Sequence, residues 1–467
     1  MFSFIGSFIL LILGFLIYSK IVEKIFGADV NNPTPATRIN DKVDYVPLPW
    51  WRAFLIQFLN IAGLGPVFGA VAGAVWGPVA YLWIVLGTIF AGATHDYLVG
   101  MISLRNDGAT ISEIIWKYLG SRAKILIRLF SLILLILIGV VFSTGPAKLL
   151  GKLFNMPDII WLYIIITYYF FATFLPIDKI ISKIYPLFAI LVLFMETYIF
   201  IILLTGKYHI PEINFQGMHP GKMPVWPFLF ITIACGAISG FHATQSPIIS
   251  RCLANEKHGR KVFYGAMVFE AFIAMIWASS SIAFYGDTAK LNETLKSIGA
   301  AGVVNDIRMA MVGGLAGIVS IIGVISLSIT SGDTAFRSAR LQLSEMFNLD
   351  QKSLANRLKL TCPMFITAII LFKVDFSVIW RYFSWSNQTL AALALWAGSV
   401  YLKKSNKPYW IALFPAIFMT AVTISYIIAA PEGFNLSVKS GTYIGIIISI
   451  ISLLFFVFSN NNKKNNF

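Results

Sequence analysis

The chain has 467 residues, 58% of them hydrophobic and only 12% charged, with a formal net charge of +15. Soluble domains carry about 25% charged residues, so the composition excludes a water-soluble globular protein and points to a polytopic membrane protein. The basic residues are scattered through the connections between apolar segments, where the cytoplasmic bias of Lys and Arg accounts for them, so no nucleic-acid partner is expected.

Apolar segments of about 20 residues, the length that crosses a bilayer, fall in order at 4–22, 52–76, 79–102, 125–143, 159–175, 183–205, 227–250, 263–285, 310–331, 359–374, 380–401, 409–430 and 441–459. Thirteen spans are therefore expected, the first read as a retained helix because no Lys or Arg precedes it and no small-residue cleavage site follows. With residues at span edges counted in the adjoining connection, the odd-numbered connections and the C-terminal tail carry 24 of the 36 Lys and Arg, and the even-numbered ones carry 10. That parity predicts an N-terminus outside and a C-terminus in the cytoplasm. Cys235, Cys252 and Cys362 show neither a disulfide nor a zinc spacing.

The second span is interrupted at Ile61-Ala62-Gly63-Leu64-Gly65-Pro66. Irregular backbone survives at membrane depth only where protein or a water-filled cavity satisfies its polar groups, and broken helices form the substrate and ion sites of many secondary transporters. Proline suits the first turn of a helix, so a new half-helix is expected at Pro66. Gly65, Gly69, Gly73 and Gly77 recur every four residues and line one face, a spacing that permits close helix packing.

A second interruption, Cys235 to His242, breaks the seventh span. Spans two to six (50–205) and seven to eleven (226–402) then form two blocks of five, each opening with a broken helix. Because five is odd, the second block runs inverted through the membrane. The expected fold is an all-α membrane domain over 1–467, with a five-plus-five inverted-repeat core of the amino-acid-transporter type. The helix at 4–22 and those at 408–460 are peripheral.

Ionisable residues inside spans are costly and are functional candidates. They are His95 and Asp96, Glu196, His242, Glu270, and Asp333 at the cytoplasmic end of the ninth span. His242 lies beside Ser239, Thr244, Gln245 and Ser246, which together make a strongly polar patch within a span. A substrate carboxylate is expected between the two half-helix N-termini, with Gly63, Gly65, Pro66, Ser239, Gly240, His242, Thr244 and Gln245 as binding residues. Ion coupling is expected at Asp96 and His95, two neighbours that point about 100° apart on a helix, and at Ser328, Ser331 and Asp333, a hydroxyl-rich run that as a helix-end feature would be a capping cluster. Glu196 and Glu270 have no charged or amide-bearing sequence neighbours. His95, Asp96, His242 and Asp333 show no metal-ligand spacing, and neither a cofactor nor an enzymatic activity is expected.

The run Ala234 to Pro247 closely resembles a signature of the carbon starvation protein A family. So do Ile329 to Arg340, Phe383 to Leu390, Gly92 to Asp96 and the Gly63 to Pro66 break. The resemblance implies a transporter of the bacterial inner membrane that takes up peptides, or pyruvate coupled to protons, during carbon starvation; the expected coupling ion is a proton or Na+. Gln57 stands where long members of that family have a histidine, and the chain is shorter than those members. A membrane sensor of the same nutrient, binding without transport, is the alternative reading.

Overall fold

The computed structural model describes residues 1–41, 44–120, 124–173, 177–215, 217–351 and 353–458. Its elements are helical, mostly α with π-helical stretches at Gly14–Tyr18, Gly65–Gly69, Trp83–Gly92 and Arg260–Tyr264, and among the described residues the only β pairing is an isolated bridge between Leu48 and Leu253. In chain order the helices are α1 (Phe2–Phe26), the bent pair α2a (Trp50–Ile61) and α2b (Gly65–Trp76), α3 (Val79–Arg105), α4 (Ile111–Leu119), α5 (Lys124–Phe154), α6 (Asp158–Ala172) and α7 (Ile177–Leu204). After these come α8a (Phe228–Thr232) and α8b (Gly240–Ser250), α9 (Glu256–Tyr285), α10 (Thr288–Met311), α11 (Gly314–Phe347), α12 (Leu354–Leu371), α13 (Phe376–Lys404), α14 (Trp410–Ala429) and α15 (Val438–Phe458).

Among the described residues, eight helices are long and apolar enough to cross a membrane, and the pair α2a–α2b makes a ninth with a 52° bend. The other expected spans appear as the shorter apolar α6, the partly described α7, the interrupted α8a–α8b, and α13, whose Arg381, Ser384, Ser386, Asn387 and Gln388 dilute its hydropathy. Exposed apolar side chains concentrate on α1, α6 and α15, as peripheral lipid-facing helices require.

Contacts between connections test the alternating count directly. Arg105 pairs with Glu256 at 2.8 Å, Glu256 accepts from the Asp29 backbone and Asn32, and Tyr45 donates to the Asp107 carbonyl. Glu345 accepts from Thr110, and Lys407 donates to the Phe26 carbonyl. Connections after spans one, three, seven, nine and eleven therefore share one face. On the other face Met1 and Ser3 meet Glu212, Trp76 donates to the Met223 carbonyl, Thr288 donates to the Met218 carbonyl, Trp226 donates to Thr442, and Tyr382 donates to the Glu432 carbonyl.

Two expectations about boundaries need correction. The connection between the spans expected at 263–285 and 310–331 is itself largely a helix, α10, capped by Asp287 and kinked at Gly299, which packs over α2b. Asp333 does not end a span: α11 runs on to Phe347, so the hydroxyl run at 326–334 lies in the middle of a helix and cannot be an end cap. Polar residues beyond Asp333 hid the continuation, because Arg337, Arg340 and Gln342 are buried against protein rather than exposed to lipid.

Candidate functional site

The two breaks meet each other. A side-chain carbon added at Gly65 would collide with Cys235, one at Gly73 with Ile233, and one at Gly69 with the Thr232 carbonyl at 3.0 Å. Three of the four ladder glycines thus face the second broken helix. Gly236, at φ +91°, packs its backbone against Pro66 and Ala274, a conformation open chiefly to glycine.

Each break frees backbone groups that lipid could not satisfy, and side chains from other helices take them. At the second break the Trp83 indole donates to the Ile233 carbonyl (2.9 Å), Thr88 to the Gly236 carbonyl (3.0 Å) and Gln388 to the Phe230 carbonyl (3.1 Å). The Phe241 N–H donates to Asn387 Oδ1 (2.6 Å), whose amide nitrogen donates to Ser239 (3.0 Å). Ser239 and Gly240 are therefore held against α13, Gly240 touching the Asn387 and Ala391 backbone.

At the first break the Leu59 carbonyl accepts from Ser331 (3.1 Å) and Thr330 (3.3 Å) of α11. Gly63 lies against Phe142 and Ser331. Of the three α11 residues expected at an ion site, Ser331 alone makes this contact. Ser328 donates to Val324 of its own helix (2.9 Å). Asp333, two residues past Ser331, is rotated about 200° around the helix and lies near Tyr168 and Tyr169 of α6.

A chain of fully buried ionisable groups crosses the second break. Asp96 of α3 accepts from His95 Nδ1 through Oδ1 and from His242 Nδ1 through Oδ2, both at 2.8 Å. His95 and Asp96 share one bond despite their angular separation, and the carboxylate bridges outward to His242. The other ring nitrogen, His242 Nε2, lies 3.1 Å from Glu270 Oε2 of α9, misaligned for a hydrogen bond. Because Nδ1 donates to Asp96, the neutral ring presents a lone pair to the carboxylate. Two facing acceptors in a dry interior require a shared cation between them.

Thr244 and Gln245 lie a turn further along α8b. Gln245 donates to Ser338 (3.4 Å), which donates to the Thr244 carbonyl (3.3 Å), beside a cavity of about 20 Å³ lined also by Arg251 and Gln342. That volume admits a water but no organic solute.

Asn387, Thr88 and Asn60 are added to the expected set, and Glu270, a candidate by its charge alone, gains a partner. Glu270 had no charged or amide-bearing sequence neighbours, and its partner comes from another helix. Thr88 is a single polar residue in an apolar run, Asn387 stands in the polar run Ser386 to Thr389, and each satisfies a backbone group of the second break. Asn60, one residue before the first break, is fully buried with neither amide atom hydrogen-bonded, and Gln57 leaves its oxygen in the same condition while its nitrogen donates to Ser246 (3.3 Å). A buried amide directly before a helix break was the available signal for Asn60. Glu196 belongs elsewhere: it pairs with Arg308 of α10 at 3.7 Å and accepts from Trp277 at 3.1 Å, which ties α10 to α7 and α9.

The chain matches the family model described as carbon starvation protein CstA over residues 1–151, 140–292 and 286–426. A Haemophilus influenzae protein described as an uncharacterized membrane protein is 41% identical over 62% of this chain and 92% of its own length. The peptide transporter CstA of Bacillus subtilis is 25% identical over 96% of this chain and 94% of its own. The pyruvate/proton symporter BtsT of Escherichia coli is 29% identical over 55% of this chain and 45% of its own. Among solved structures, MhsT in complex with L-phenylalanine superposes with a TM-score of 0.56 at 14% identity over 87% of this chain and 98% of its own. A mutant of the Eremococcus coleocola manganese transporter superposes at 0.55 and 14% identity, over 90% of this chain and 97% of its own. These likenesses establish the five-plus-five transporter fold and, at such identities, nothing about cargo.

Proposed function

Because the chain belongs to the carbon starvation protein CstA family, we propose that it is a secondary active importer of a small carboxylate-bearing carbon source, a peptide or pyruvate, driven by protons. The observation that carries this reading is the buried path from Asp96 through His242 to Glu270, which holds acceptor facing acceptor at His242 Nε2 and Glu270 Oε2. One proton placed there satisfies both groups, and its loss leaves them opposed. Movement of α8b against α3 and α9 would make and break that pairing, which couples protonation to alternating access.

The substrate carboxylate would sit at the N-terminal ends of α2b and α8b, which carry partial positive charge. The Asn60 amide and the Gln57 side-chain oxygen, which lack hydrogen bonds, are available to the rest of the solute. Ser331 and Thr330 at the Leu59 carbonyl are the fitting place for a second coupling ion, Na+, with Ser328 and Asp333 outside that contact. The domain would lie in the bacterial inner membrane with its N-terminus outside and its C-terminus in the cytoplasm, as the Lys and Arg parity indicates.

The test is uptake of labelled pyruvate and of a dipeptide into proteoliposomes, with and without an inward proton gradient. Gradient-stimulated accumulation of one of them is expected. Asp96→Asn and Glu270→Gln should remove the stimulation in protein that remains monodisperse in detergent. Saturable binding without accumulation would favour a sensor, and wild-type rates in both variants would refute the proton path.

A further inference from the structure

The cation demanded between His242 and Glu270 need not be a proton, because a third ligating group converges on the same point. Cys235, in the loop between α8a and α8b, is a buried free thiol, and its sulfur, a His242 ring nitrogen and a Glu270 carboxylate oxygen all lie within 4.8 Å of one another. All three side chains are essentially inaccessible to solvent, and both Glu270 oxygens and His242 Nε2 lack a hydrogen bond. The groups come from three separate segments, so their convergence is a property of the fold.

We infer that Cys235, His242 and Glu270 form a binding site for one borderline divalent transition-metal ion of the zinc(II) class. The donor set is sulfur, nitrogen and oxygen, which suits zinc(II) or cobalt(II) better than the hard ions calcium and magnesium. Ligating histidines commonly donate their second ring N–H to a carboxylate, which fixes the tautomer and aims the lone pair at the metal. Asp96 does this to His242 Nδ1, and His95 in turn holds the other Asp96 oxygen. Three protein ligands leave a fourth position for water or an anionic solute. A bound ion would tie the second break to α9, and it would exclude the coupling proton from the same pair. The site shares residues with the proton path but rests on ligand chemistry, so metal binding and transport can fail independently.

The experiment uses full-length, chelator-stripped protein in detergent, carrying Cys362→Ala to remove the exposed thiol. Cobalt(II) titration should produce sulfur-to-cobalt charge-transfer absorption that saturates at about one ion per chain and is displaced by zinc(II). Affinity should rise with pH, because the thiol and imidazole must lose protons to ligate. Cys235→Ser, a one-atom change, should abolish the band, and Asp96→Asn should weaken zinc(II) binding about tenfold or more by freeing the ring. Monodisperse protein without the band, or a band that survives Cys235→Ser, would overturn the site. Should Asp96→Asn fail to fold, Cys235→Ser alone decides.

Discussion

The two broken helices solve the same problem by opposite means. At the second break four backbone groups are claimed by side chains from distant helices, Trp83, Thr88, Asn387 and Gln388. Its charges run in a separate line through Asp96, His242 and Glu270. At the first break hydroxyls of Thr330 and Ser331 converge on a single carbonyl, that of Leu59, while the neighbouring Asn60 amide has no hydrogen-bond partner. A break braced by side chains can hold charged groups at fixed distances, whereas buried polar atoms without protein partners are positioned to gain from a solute.

This contrast breaks most completely at Gly236. A Cβ there would meet Ala274 at 2.5 Å on a backbone at φ +91°, so Gly236→Val should cost about 3 kcal/mol or more through strain and overpacking. The loss of thermal stability in detergent, together with loss of uptake, checks it. A correctly folded, active variant would show that the second break is not so braced. The first break should respond less. Thr330→Val with Ser331→Ala leaves the Leu59 carbonyl buried without its two donors, at about 1–3 kcal/mol. Uptake measured across a range of Na+ concentrations reads the same variant for an ion role, and an unchanged Na+ response would remove that role.

The smallest effect on stability is expected at Asn60. Replacing a buried amide that has no hydrogen bond by a side chain of similar volume removes an uncompensated desolvation cost, so Asn60→Leu should leave the melting temperature unchanged or raised. If the amide serves the solute, KM for uptake should rise about tenfold while stability holds. A fall in stability with unchanged KM would mean that Asn60 is structural and that the two breaks differ less than their bonding suggests.

Much of the architecture was legible because its causes are periodic. Apolar length and Lys and Arg parity are local signals that bilayer thickness and membrane topology impose, and the sharing of faces by alternate connections follows them through the last helix. The glycine ladder read as packing, and Gly65, Gly69 and Gly73 do face the second break. The site was legible only in part. His242, Asp96 and His95 drew attention as charges in apolar segments, and the structure joins them. Ser328, Ser331 and Asp333 read as one cluster because they are close in sequence, yet helix rotation separates them. Glu270 and Asn60 gave weak signals, since burial and bonding depend on helices that are distant in sequence.

Sequence by itself determined that this chain lives in a membrane, breaks two of its helices and carries a few charges where charges are costly. Those facts follow from the chemistry of each segment in hydrocarbon, independent of its neighbours. Tertiary structure alone decided that the breaks touch, that Asp96 bridges two histidines, and that Cys235, His242 and Glu270 converge. Distances of a few ångströms between residues tens or hundreds of positions apart are set by helix rotation and packing, which no local pattern of hydrophobicity encodes.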